Sequence, residues 1–215
     1  MKNIVIVWIT TILFLIFGVA FFLPNISLPY KTGYPILILT LGLSFFEERK
    51  MILIMLALFL SFIGDTTGAM HYFIFQMLFF ALAHIFYIVY FLSDGSSLSL
   101  KNLFYILIPI SLLAFLFIAI LPSVNNPIER IGVTLYGVII STMLGSVFLY
   151  KGKFHTGYII AAMLFVFSDS IIAWNRFVSI IPYSKYIIMT TYYIAQYLFF
   201  YLTVKQRNQL KEKIS

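Results

Sequence analysis

The chain has 215 residues, 62% of them hydrophobic and only 10% charged, with 14 Lys and Arg against 7 Asp and Glu. Its mean hydropathy of +1.04 excludes a soluble globular domain, and the lack of cysteine excludes disulfides, thiolate nucleophiles and cysteine metal sites. In a soluble protein the net charge of +7 would suggest nucleic acid; in a membrane protein a positive-inside bias accounts for it, so no nucleic-acid partner is expected.

In chain order the apolar runs predict eight transmembrane helices, over 4–23, 33–47, 51–67, 71–92, 102–121, 129–150, 156–175 and 185–204. The Leu, Ile and Phe runs lack the alternation of barrel strands, so the fold class is all-α and polytopic. The first run stays apolar beyond signal-peptide length and has no small-residue cleavage site before Pro24, so it reads as a span. The loops are too short for a second domain. Residues 1–204 therefore form one eight-span unit, and 205–215 ("KQRNQLKEKIS") a basic tail.

With the N-terminus cytoplasmic, Lys2, Arg49, Lys50, Lys101, Lys151, Lys153, Lys205, Arg207, Lys211 and Lys213 fall inside. Only Lys31, Arg130, Arg176 and Lys185 fall outside. The imbalance predicts both termini in the cytoplasm of a bacterial-type cytoplasmic membrane.

Two carboxylates stand out, Asp65 in "LSFIGDTTGAM" and Asp169 in "LFVFSDSIIAW". Both lie in spans that run outward, roughly 20 Å from the cytoplasmic boundary, and so at one level. An ionised side chain at such depth costs a few kcal/mol and normally faces a partner or a watery cavity. The plain alternative is a structural hydrogen bond, from Asp65 to Thr66 or Thr67, or from Asp169 to Ser168 or Ser170. Two carboxylates at equal depth favour function, because in low dielectric a pair supplies an acid and a base in one pocket. Helical rise brings Tyr136, Tyr192, Tyr193 and Gln196 near that depth, with His84 and Tyr87 somewhat deeper. "FIGD" with "VFSD", and "LAHIFY" with "IAQYLF", also suggest two parallel four-helix halves that bring the aspartates together. Three scattered histidines, His71, His84 and His155, make no metal site, and no nucleophile elbow, zinc motif or phosphate loop occurs.

"GDTTGAM", "ALAHIFYIVYF", the span bearing Tyr136, "FSDSIIAWNRF" and "TTYYIAQYLFF" together resemble the YhhN-like membrane proteins, the lysoplasmalogenase family. Where that family has Lys-Pro at the start of the second span, this chain has "YKTGYP", which keeps Lys31 and moves the proline to Pro35. Thr66-Thr67 also replaces the aliphatic residues usual after Gly-Asp. The resemblance implies an eight-helix hydrolase that splits the vinyl-ether bond of lysoplasmalogen into a fatty aldehyde and a glycerophospho-base. Its partners would be a lysolipid, water and the surrounding membrane, with no cofactor.

The chemistry of the residues agrees. A vinyl ether breaks once its β-carbon is protonated, giving an oxocarbenium ion that water captures, a division of labour that two carboxylates also perform in glycosidases. Asp65 and Asp169 are the expected acid/base pair, with Tyr136, Tyr192, Tyr193, Gln196, His84, Tyr87 and Ser168 holding water or the carboxylates. Lys31 and Arg176, at the outer ends of their spans, read first as interfacial anchors, with contact to the lysolipid phosphate as the alternative. Two rivals stand beside this reading. One is a proton-coupled small-solute carrier, against which Pro24, Pro29, Pro122, Pro127 and Pro182 near span ends argue for a fixed pocket; the other is a non-catalytic lysolipid-binding protein.

Overall fold

The computed structural model describes residues 2–23, 31–46, 48–93 and 100–214; Pro24 and Pro29 lie outside them. Within these residues long apolar runs can satisfy their backbone only internally, and the regular structure is helical throughout. Eight α-helices follow in order: α1 (Lys2–Phe22), α2 (Tyr34–Ser44), α3 (Arg49–Ala69), α4 (Phe73–Leu92), α5 (Leu100–Phe115), α6 (Pro127–Leu149), α7 (His155–Phe177) and α8 (Ser184–Ile214). The protein is thus an integral, multi-pass membrane protein.

Seven helices are long and apolar enough to cross a membrane, where the sequence led us to expect eight. The difference is α2, whose 11 residues rise about 16 Å against a hydrocarbon core of about 30 Å. Pro35 fixes its first turn, and the chain leaves the helix at Phe45, before the charged residues that precede α3. At the other extreme, α8 carries its helix through the basic segment to Ile214.

The fifth crossing also differs from a plain helix. Pro109 lies inside α5, and the helix then passes through a π-helical turn (Leu116–Ile120) and a 3₁₀ turn (Leu121–Ser123). Proline withdraws a backbone donor and a π turn widens the helix, so this crossing is irregular. Counting prolines at span ends overlooked Pro109, and the proline argument against a carrier therefore fails.

α3 packs along α4, and α7 along α8; α4 also rests on α6, while α8 reaches α2 and α3. Their shared interior is aromatic, with Tyr87, Phe91, Tyr158, Phe165, Phe199 and Phe200 essentially without exposure. The outer faces are apolar as well: α1 exposes Ile4, Trp8, Ile12 and Ile16, the arrangement lipid requires. The α3–α4 turn is tight enough that His71 takes φ 65°, in the left-handed region.

Candidate active site

Asp65 sits near the C-terminal end of α3, where Gly64 lets that helix approach α4: a Cβ there would stand 3.0 Å from the Phe80 ring. Only 7% of Asp65 is exposed. Tyr192 Oη donates to Asp65 Oδ2 at 2.8 Å, Gln196 Nε2 donates to Tyr192 Oη at 3.3 Å, and Tyr87 Oη donates to Gln196 Oε1 at 2.6 Å. Tyr192 and Gln196 are four apart on α8 and so share a face. The result is a buried chain of hydrogen bonds running from α4 through α8 to the α3 carboxylate.

Asp169, on α7, is half-buried and has a separate set of donors. Tyr136 Oη, from α6, donates to Asp169 Oδ2; Ser168 Oγ lies 3.4 Å from Oδ1 while it also donates to Phe165 O at 2.9 Å. Between the helices of the two carboxylates Phe80, Phe165 and Tyr192 form a triangle of edge-on rings, with centroids 5.4–6.1 Å apart.

The neighbouring hydroxyls do not supply the plain structural explanation for Asp65. Thr66 and Thr67 donate to the carbonyls of Phe62 and Ile63 in their own helix, and Ser170 does the same to Val166. His84 is fully buried between the two groups, its ring 5.6 Å from Tyr136, 6.4 Å from Tyr87 and 4.8 Å from Phe165. Its Nδ1 is 2.5 Å from Phe80 O, while Nε2 has no hydrogen-bond partner among the described residues. Tyr193 turns elsewhere, donating to Thr32 O at 2.8 Å. Lys31 Nζ donates to Leu23 O at 3.3 Å and lies 5.9 Å from the centre of the Phe21 ring.

A largely apolar cavity of about 90 Å³ opens against Asp169 and Tyr136, bounded by α4, the irregular fifth crossing, α6 and α7. Asp65 is not in its wall. Gln76, Met77, Leu116, Ser141 and Ser170 are, and sequence reasoning missed the first four, because no span position marks which face of a helix looks inward. It also missed the pair at the cavity's end. Arg176 bonds Glu129 at 2.5 Å and lies 3.9 Å from the ring centre of Phe73, which with Phe177 lines the cavity. Glu129, the acid in the first turn of α6, on the same expected side as Arg176, was the available signal.

The YhhN family profile matches residues 30–203, which include both aspartates and every donor around them. The chain belongs to the YhhN family. The matched range contains the Gly-Asp, His-x-x-Tyr, Ser-Asp and Tyr-x-x-Ala-Gln elements. Among curated proteins the chain is similar to "Lysoplasmalogenase TMEM86B" of Mus musculus, at 40% identity over 29% of this chain and 26% of that one. The counterparts of that name in Rattus norvegicus and Sus scrofa are 34% and 38% identical, over 40% and 38% of this chain and 33% and 34% of theirs. The matched segments thus span a quarter to a third of the length of these relatives. No solved structure matches the chain.

Proposed function

We propose that this protein is an integral-membrane hydrolase that cleaves the vinyl-ether bond of a lysoplasmalogen, yielding a fatty aldehyde and a glycerophospho-base. The observation that carries the reading is a carboxylate, Asp169, in the wall of a largely apolar cavity, with a tyrosine hydroxyl fixing its orientation. The names of the relatives supply the substrate class.

In this mechanism the carboxylic acid of Asp169 protonates the β-carbon of the vinyl ether, and the π electrons form the new C–H bond. Positive charge then develops on the adjacent carbon and the ether oxygen. Asp65 stabilises it electrostatically from behind the wall, where Tyr192 and Gln196 hold it. Water adds to the cation and gives its proton to the Asp169 carboxylate, restoring the acid. The resulting hemiacetal breaks its C–O bond to release aldehyde, and the departing glycerol oxygen takes up the hydroxyl proton. Arg176 exchanges Glu129 for the lysolipid phosphate at the cavity's end.

We further propose eight crossings, α2 included, with both termini cytoplasmic. Thr32, just before α2, touches the Asp65 end of α3 through its Oγ1 and the Asp65 carbonyl at 3.3 Å. Phe46, just after α2, lies 5.1 Å from the Arg207 guanidinium, near where α3 begins. The segment therefore runs nearly the length of α3. The pairing of α3 with α4 and of α7 with α8, each pair carrying one aspartate, supports two related halves.

Turnover of a vinyl-ether lysolipid by Asp169→Asn and Asp65→Asn tests the assignment. Both variants are expected to fold, with Asp169→Asn losing at least about a thousandfold and Asp65→Asn about a hundredfold. Full activity in either would overturn the pair. The carrier reading keeps one supporting observation, the irregular fifth crossing, and predicts solute flux in proteoliposomes without any aldehyde.

A further inference from the structure

At the opposite end of α3 from Asp65, about 20 Å along the helix, a second and polar cavity of about 360 Å³ lies where α8 leaves the bundle. Among the described residues its wall includes Lys50, Lys153, Arg207 and Glu48, with Gln209 beside them. Arg207 is 6% exposed, an unusual burial for a guanidinium, and its ring-face contact with Phe46 at 5.1 Å leaves the edge of the group for polar partners. Glu48 does not satisfy it: the Arg207 Nε to Glu48 Oε2 distance is 3.8 Å, too long for a hydrogen bond. Nη1 reaches Asn208 Oδ1 at 3.3 Å. Arg207 Nε and Gln209 Oε1 are both buried and have no hydrogen-bond partner among the described residues. The wall of one cavity thus holds, among the described residues, an arginine and a glutamine whose buried Nε and Oε1 lack hydrogen-bond partners.

We propose that this cavity is a second ligand site, which takes a phosphate ester that also carries a hydroxyl or ammonium group. The phosphate oxygens accept from Arg207 Nε, the arrangement in which guanidinium exceeds ammonium, and Lys153 adds charge at the exposed rim. The hydroxyl or ammonium donates to Gln209 Oε1. A simple anion fills only half of that pattern, and a neutral polyol the other half. The volume lies within the range of small-molecule sites. Two sources present this chemistry, a lipid headgroup in the adjoining leaflet and a soluble glycerol phosphate.

The test is binding to the full-length protein, in detergent for glycerol 3-phosphate and inorganic phosphate, and in nanodiscs with or without phosphatidylglycerol, read by calorimetry and by thermal unfolding. Wild type is expected to bind glycerol 3-phosphate at least tenfold more tightly than inorganic phosphate, or to be stabilised by phosphatidylglycerol alone. The first outcome assigns the soluble source and the second the headgroup. Either response should fall about tenfold in Arg207→Gln and about threefold in Lys153→Gln, and persist in Asp169→Asn. Lys153 is exposed, so its variant remains informative if Arg207→Gln does not fold. No response to any probe, or a response equal in wild type and Lys153→Gln, would overturn the proposal.

Discussion

Each aspartate depends on one tyrosine, and the two tyrosines differ in what their loss exposes. Tyr136→Phe removes the donor to Asp169 at the cavity wall, where water can replace it, so kcat should fall tenfold or more while the thermal midpoint holds. Tyr192→Phe removes the donor to a carboxylate with 7% exposure and breaks the link to Gln196 and Tyr87. That variant should lose about 1–3 kcal/mol of stability as well as turnover, measurable by thermal unfolding in detergent. Arg176→Ala should act on binding instead, raising KM for lysolipid several-fold with kcat nearly kept, since among the described residues Arg176 meets Glu129 and the aromatic rings at the cavity's end. A kcat loss equal to that of Tyr136→Phe would contradict that role.

Between helices, the α3–α4 contact sets where Asp65 stands. A side chain at Gly64 would press on Phe80, whose ring also meets Phe165 and Tyr192, so the disturbance reaches both carboxylate groups. Gly64→Val should therefore cost about 1–3 kcal/mol by overpacking and depress turnover more than Gly68→Ala, whose Cβ first meets the flexible end of the Gln76 side chain. Comparison of unfolding midpoints and rates for the two variants checks this. Much of this level was legible in the sequence, because uninterrupted apolar runs of sufficient length dictate helices and helical rise gives the depth of each polar residue. What was not legible is rotation. Tyr192 and Tyr193 are adjacent and looked equivalent, yet one bonds Asp65 and the other Thr32, a difference decided by which face of α8 packs on α3. The irregular fifth crossing was likewise hidden, since a π turn has no composition of its own.

Across the whole molecule, the fate of α2 decides the sidedness. Eight crossings place both termini on one face of the membrane, whereas seven place them on opposite faces. Reporter fusions at each end, one active only inside and one only outside, should report both ends cytoplasmic. On the proposal of eight crossings, the flanking turns on either side of α2 extend the reach of its 11 helical residues. The family, by contrast, was readable from sequence, and its profile matches residues 30–203. The central claim is that a cavity-wall carboxylic acid protonates a vinyl ether, and it is best tested by mass spectrometry of products. The purified protein would be incubated with a vinyl-ether lysolipid, its alkyl-ether analogue and an acyl lysolipid. The account predicts fatty aldehyde and glycerophospho-base from the vinyl ether alone, with neither product in Asp169→Asn. Fatty acid from the acyl lipid, or aldehyde formation undiminished in Asp169→Asn, would contradict it.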